Sequence, residues 1–470
     1  MKQGSADKAG YLSNKTIAAL CTPIGGAICM IRISGDLAIS IGETLSGEKL
    51  NSNDARKAKR VFIRDQKGKK LDDAILIPFF APQSFTGENS VELFLHGSPM
   101  VAQKTLDEIF GAGGRLALPG EFSFRAVKNG KLALSQAEAI KELVQADNDF
   151  ALDLALEKLS GTQHVLIEKL RAELMQLATL SEVGIDFSDQ DIDEVSLPRL
   201  KQRLAPIVEM LESLQGSFDR GRRFREGVLV SIFGLPNAGK SSFFNALLGE
   251  DRSIVSAIAG TTRDVVREKL NLKGDQGYVS FRISDTAGLR KTADHIETVG
   301  IERSLKAARE SDLILIAIDG VNPQVPEIEA FLSQIDLTEK IILGVLTKAD
   351  LLGEPELALV RKRVAALPFS SCVLVSSVLG TGIEQLAREM AALGEKKLAR
   401  NSGEVVLTQF EHVQAVSRSL DCLNRAKDAL DLVLFAADVR HGMAELAPLI
   451  GDTLPDDVLG KIFSDFCIGK

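Results

Sequence analysis

Residues 227–242, GVLVSIFGLPNAGKSS, restrict the fold of this chain more than any other stretch. Val228, Leu229, Val230, Ile232 and Phe233 make a buried strand. Gly234, Gly239, Lys240 and Ser241 then fit G-x-x-x-x-G-K-S, and Ser242 to Leu248 suits a helix. In that order the pieces form a cradle: loop N–H groups and the lysine face phosphates, and the serine hydroxyl reaches Mg²⁺. Such a loop belongs at the end of a strand in a parallel α/β sheet. Four fixed positions also match by accident in many chains, and a true match leaves ATP and GTP both open.

The downstream motifs narrow the reading. Gly260-Thr261-Thr262-Arg263-Asp264 comes first, Asp285-Thr286-Ala287-Gly288 closes the strand YVSFRIS, and Thr347-Lys348-Ala349-Asp350 closes IILGVL. A GTPase needs these pieces in this order, at the carboxyl edge of parallel strands. Thr262 joins Ser241 at Mg²⁺, Asp285 holds the metal's water shell, and the Gly288 N–H senses the γ-phosphate. Asp350 can accept both N–H groups of guanine's Watson–Crick edge, a donor pair adenine lacks, so GTP is the expected nucleotide. Thr347 stands where small GTPases usually carry Asn, and Ser376-Ser377-Val378 replaces Ser-Ala-Lys, so weak base affinity is expected with specificity kept by Asp350. Leu289 occupies the place of the Ras-type water-orienting glutamine and can neither donate nor accept. Catalysis must then come from elsewhere, with Asp294, Glu297 and the loop amide Asn237 as candidates.

A length of 470 residues predicts two or three domains. With 45% hydrophobic and 26% charged residues, no membrane-length apolar run and no apolar block in the first twenty residues, a soluble cytoplasmic protein is expected. A net charge of −8 argues against a large basic nucleic-acid surface, so any RNA contact is local or shared with a partner. Cys21, Cys29, Cys372, Cys422 and Cys467 show no C-x-x-C pairing or nearby histidines, which argues against a zinc site or disulfide framework and suggests that most are buried.

Before the phosphate loop, ICMIRISG, ILIPFF and VELFLHG alternate with glycine and proline turns and predict an α+β domain. Glu92 and His96 share one strand face, which by spacing alone reads as exposed polar surface, and Lys131 follows a glycine helix cap. Helical stripes follow: Ile167, Leu170, Leu174 and Leu177, and later Val413, Val416, Leu420, Leu423, Ala426 and Leu430. The runs RGRRFR (220–225) and KKLARNSG (396–403) read first as solvated hinges, with a phosphate or RNA contact as the alternative.

Taken together, TPIGGAICMIRISG, SFTGENSVELFLHG, LPGEFSFRAVKNGKL, SQAEAI, GLPNAGKSS, IAGTTRD, DTAGLR, VGIER and the terminal FCIGK resemble the MnmE (TrmE) family of tRNA modification GTPases over essentially the full length. The resemblance implies a multidomain α/β protein: an α+β folate-binding and dimerisation domain over residues 1–132, an all-α helical domain in two parts, 133–226 and 395–470, and a Ras-like P-loop G domain, 227–394, inserted between them. It implies a homodimer that works with an FAD-dependent partner, MnmG (GidA), as a heterotetramer on the wobble uridine of tRNA. The one-carbon unit would come from 5-formyltetrahydrofolate or methylenetetrahydrofolate, bound by Arg32, Glu92, Lys131 and Lys470, which replaces the surface reading of Glu92. K⁺ would be held by Asn237, Ser256, Ile258 and Thr261, with Glu297 as the catalytic glutamate. Asn237, Ala238, Gly239, Lys240, Ser241 and Ser242, with Ser256, Ala257, Ile258 and Ala259 through Thr262, would line the nucleotide. Cys467 matches the family cysteine needed for modification.

The chain departs from that pattern in places. The loop before Arg32 is one residue shorter, and Gln409 and Glu411 precede His412 where the family carries arginines. A ribosome-assembly GTPase acting as a binding switch is the alternative; such proteins usually append an RNA-binding module, and none follows the G domain motifs here.

Overall fold

The structure, a computed structural model, describes residues 11, 13–186, 195–249, 268–284, 297–338, 340–399, 404–451, 456–464, 466 and 469. The chain divides into two compact units, Met1–Lys141 with Lys158–Leu211 and Gln414–Lys470, and Glu142–Glu157 with Glu212–Val413. The second unit takes in short stretches on both sides of the 227–394 segment read as a G domain.

In the first unit, β1 (Ile17–Leu20), β2 (Ile28–Ser34), β3 (Lys59–Arg64), β4 (Lys70–Phe79), β5 (Ser90–His96) and β6 (Arg115–Leu116) form a sheet of order β3-β4-β5-β2-β1-β6. It is antiparallel except where β1 meets β6. Alternation along β2 and β5 buries Ile31, Ile33, Leu93 and Leu95 in one core with residues of α1 (Ala38–Ser46) and α2 (Pro99–Gly111). The same period turns Arg32 and Glu92 to the other face, where the register sets them opposite each other. The helix α3 (Glu121–Lys128) follows, and Gly130 after it has a left-handed φ of 66°.

The helical sequence continues as α4 (Leu134–Gln145), α5 (Asp149–Leu159), α6 (Thr162–Asp186) and α7 (Leu197–Gly216). All four members of the α6 stripe are buried, and the helix Leu432–Glu445, from near the other end of the chain, packs on α6. In the helix Phe410–Asp428, Val416, Leu420, Leu423 and Ala426 are buried. Leu430 keeps the step but lies beyond the helix end and is 90% exposed, because the period has no meaning once the helix stops.

In the second unit, α8 (Phe218–Glu226) leads into β7 (Val228–Phe233), followed by α9 (Lys240–Gly249), β8 (Glu268–Lys273), β9 (Tyr278–Ile283), β10 (Leu313–Asp319), β11 (Ile341–Thr347) and β12 (Ser371–Leu374). The order is β12-β11-β10-β7-β9-β8, parallel except for β8 on β9. β7 and β10 are buried along nearly their whole length, as strands covered on both faces must be, which explains their unbroken apolar runs.

The arginine run is not a solvated hinge. Arg220 pairs with Glu404, Arg223 Nε lies 2.7 Å from Asp312, and Arg225 lies 2.9 Å from Glu226. Leu407 N donates to Ser217 Oγ at 3.0 Å, so the segment leaving the sheet is fastened to the helix entering it. Of the hinge at 396–403, residues 400–403 lie outside the described residues. Among the described cysteines only Cys29 is buried; Cys21 and Cys422 are half-buried, and Cys372 is exposed on β12, the last strand of its sheet. No helix among the described residues is long and apolar enough to cross a membrane.

Candidate functional site: a phosphate loop and an arginine–glutamate cluster

β7 ends at Phe233, and the loop Gly234–Gly239 turns back to start α9 at Lys240. Gly239 adopts φ 77°, a conformation that favours glycine, and a Cβ there would sit a tight 3.3 Å from Thr347. Asn237, at the tip, also has positive φ, 62°, a region asparagine tolerates better than most residues. Lys240 folds back over the loop, its Nζ donating to the carbonyls of Gly234 at 2.6 Å and Leu235 at 2.9 Å. Burial pushes its ammonium pKa below the ordinary lysine value. An ammonium desolvated beside a helix N-terminus is a site with unmet positive charge, and a phosphate meets it. Ser241 and Ser242 lie in the first turn of α9. A cavity of ≈ 450 Å³ runs from the outer side of the loop, at Pro236 and Asn237, to the end of β10 at Asp319.

The third motif reaches the loop through Thr347. Its Oγ1 lies 2.9 Å from Ala238 O and 3.0 Å from Ile318 O, and the residue is 2% exposed. The Thr347 hydroxyl is therefore engaged with the backbone of the phosphate loop or of β10. Lys348, with φ 57°, sets its Nζ 2.6 Å from Asp319. Asp350 is exposed. Ala349 N donates to Val375 O at 3.3 Å, which ties this motif to the loop of Ser376, Ser377 and Val378. Ser376 is fully buried while Val378 is 86% exposed. The structure thus gathers Asn237 to Ser242, Thr347 to Asp350 and Ser376 to Val378 at one end of the sheet. Ser256, Ala257, Ile258, Ala259, Gly260, Thr261, Thr262, Asp285, Thr286, Ala287 and Gly288 lie outside the described residues. Glu297 begins the helix Glu297–Glu310, and its side chain lies outside them as well.

In the first unit Arg32 and Glu92 meet across β2 and β5, with Nε 3.0 Å and a second guanidinium nitrogen 2.9 Å from Glu92 Oε1. Each side chain keeps only 16% of its exposure. The guanidinium lies 4.9 Å from the centre of the Phe85 ring and 5.6 Å from that of Phe122. Lys131 follows Gly130 and packs its stem on Gly87, where a Cβ would come 3.2 Å from Lys131 Cγ. Beneath them Arg125, 4% exposed, bridges Glu88 and Glu121. Gly469 packs its backbone on Leu20 O, at the end of the strand beside β2. Cys467 and Lys470 lie outside the described residues.

A family model described as MnmE helical domain matches residues 134–467, and one described as GTP-binding protein TrmE N-terminus matches residues 16–131. The chain belongs to the MnmE family. Curated relatives agree along the whole length: "tRNA modification GTPase MnmE" of Aquifex aeolicus is 37% identical over 462 residues, covering 97% of this chain and 99% of that one. The protein of the same name from Azoarcus sp. is 38% identical, covering 97% and 98%, and that of Protochlamydia amoebophila 34%, covering 98% of each. Among solved structures, the G domain of the Thermotoga maritima FeoB iron transporter aligns at 23% identity over 36% of this chain and 96% of that one, with a TM-score of 0.23. For an MnmE family member the phosphate loop carries the features that sequence reading named. Phe85 and Phe122, which flank Arg32, were not named by it. Their signal lay in plain view, Phe85 in the motif SFTGENS and Phe122 in LPGEFSF.

Proposed function

We propose that this chain hydrolyses GTP to drive the addition of an aminomethyl-type group, carboxymethylated or not, to carbon 5 of the wobble uridine of tRNA. In this reading it acts as a homodimer with the FAD-dependent MnmG (GidA) in a heterotetramer. Residues 1–132 bind folate, 133–226 and 395–470 form the helical domain, and 227–394 form the G domain. The observation that carries the reading is the phosphate loop, with Lys240 desolvated over it and Thr347 fastening it from behind. Lys240 takes the β- and γ-phosphates, and Asp350 takes the guanine edge. Ser241 and Thr262 would hold Mg²⁺, and Asn237, Ser256, Ile258 and Thr261 would hold K⁺. When bound, the two cations supply positive charge to the phosphates, K⁺ doing so where other GTPases use an arginine finger. Glu297 orients the attacking water in place of the glutamine that Leu289 replaces.

The Arg32–Glu92 pair suits the polar ends of a tetrahydrofolate. Both contacts from Arg32 fall on Glu92 Oε1, which leaves Oε2 to accept from the amino-pyrimidine edge of the pterin. Arg32, between its two aromatic rings, and Lys131 supply positive charge for the ligand's carboxylates. A titration with 5-formyltetrahydrofolate tests this: wild type saturates, and Arg32→Ala does not bind. Equal binding by both proteins would remove Arg32 from the site, and binding by neither would remove the one-carbon source.

A further inference from the structure

We propose that the β3–β4 hairpin of the first unit is a docking surface for the phosphate backbone of RNA. The proposal rests on the tRNA-modification reading, which supplies RNA as the class of partner. Residues 54–73 hold eight lysines and arginines against four aspartates, a balance of +4 on a chain whose total is −8. The rest of the molecule therefore carries −12, and this hairpin is a positive island on an acidic protein.

Internal contacts occupy the aspartates and leave three of the eight cations, Lys57, Lys67 and Lys69, with no ion pair, side-chain hydrogen bond or ring contact among the described residues. Asp54 lies 2.8 Å from Lys59, Asp73 makes a fork with Arg60, and Asp72 takes the His96 ring and backbone at 2.7 and 2.9 Å. Asp65 folds onto its own turn, accepting from the N–H groups of Lys67 and Lys69 at 3.0 and 2.8 Å. Gly68, at φ 77°, closes that turn, which sets Lys67 and Lys69 out into solvent at its tip. Lys57, Lys67 and Lys69 are exposed and make no ion pair among the described residues. By contrast Arg220, Arg223 and Arg225, in the other arginine-rich run of the sequence, each meet a carboxylate and have little charge left for a ligand.

The strand adds a stacking element. Arg60, Phe62 and Arg64 alternate with buried Val61 and Ile63 and so share the outer face of β3. Phe62 is 39% exposed, and the Lys70 ammonium sits 3.7 Å from its ring centre. A ring beside cations is the combination that stacks an unpaired base while neutralising its phosphate. A second copy of the chain is the other candidate occupant. A two-fold axis through this surface would lay hairpin on hairpin and oppose like charges, so RNA is the better match.

Binding of unfractionated tRNA by the full-length protein, followed across salt concentrations, tests the assignment. The triple variant Lys57→Glu, Lys67→Glu, Lys69→Glu should weaken binding about tenfold or more near 0.1 M salt and flatten the slope of log K against log salt by about 2–3. GTP hydrolysis should be unchanged, and replacing the same three lysines by arginine should keep wild-type affinity and slope. Wild-type affinity in the glutamate variant overturns the proposal and leaves the enzyme reading standing. So does a change of oligomeric state in that variant without a change in RNA binding, which would assign the surface to a second copy. Failure of the wild type itself to bind tRNA at low salt would overturn the proposal and count against the tRNA reading on which it rests.

Discussion

Thr347 is the residue at which sequence and structure diverge most usefully. The threonine looks like an impaired base contact, yet its hydroxyl bonds backward to Ala238 O or Ile318 O from a buried position. Thr347→Val keeps the shape and removes the donor, costing one buried carbonyl its hydrogen bond at about 1–3 kcal/mol. Loss of loop order should weaken GDP and GTP alike, about fivefold or more, while discrimination against ATP stays at the wild-type level because Asp350 is untouched. Competition binding with the three nucleotides checks this, and loss of base discrimination would contradict it. Lys240 gives a second expectation. Burial lowers its pKa in the free loop, and a neighbouring phosphate raises it. The protonated form is the one that binds, so affinity should fall as pH rises through the free-site pKa, in a window that begins below the ordinary lysine value of about 10.4. Calorimetry in alkaline buffers of different ionisation enthalpy should show proton uptake on binding there. The residues of this site were legible because a P-loop is a local pattern. The Arg32–Glu92 contact was not, since it joins residues 60 positions apart and depends on a strand register that spacing does not reveal.

At the scale of elements, the joint around α8 is a clasp, and two helical glycines separate its contributions. A Cβ at Gly221 would lie 2.0 Å from Leu407 O, so α8 touches the returning chain backbone to backbone. Gly216, the last residue of α7, has nothing within 4 Å of that position. Gly221→Ala should destabilise the protein by about 1–3 kcal/mol through overpacking, and Gly216→Ala should stabilise it by about 0.4–1 kcal/mol through the unfolded chain. Thermal unfolding of both variants checks the pair, and equal shifts would contradict the clasp. A second attachment lies between α4 and α5, where Asp147, Asn148 and Asp149 hold the β8–β9 hairpin. Asn148 Nδ2 donates to Ser280 Oγ at 3.2 Å, and Lys269 Nζ lies 2.7 Å from Asp147. Strand and helix identities were readable from period and apolar runs, as β7, β9 and β11 show. These clasps were not readable, because an arginine run looks the same whether its carboxylate partners lie in solvent or, like Asp312, 89 residues away in the fold.

For the whole molecule, two chemistries share one chain. A nucleotide loop in one unit and an ion-paired, aromatic-flanked cluster in the other have no direct use for each other unless a common substrate links them. In an MnmE family member that substrate is tRNA, and the Lys240 and Arg32 sites should be separately necessary for one product. The direct measurement is mass-spectrometric analysis of wobble uridine from a strain lacking this chain, complemented in turn with wild type, Lys240→Met and Arg32→Ala. The carbon-5 aminomethyl-type group should be absent without the chain, return with wild type, and fail to return with either variant. Persistence of the group in the deleted strain, or its full restoration by both variants, would contradict the account.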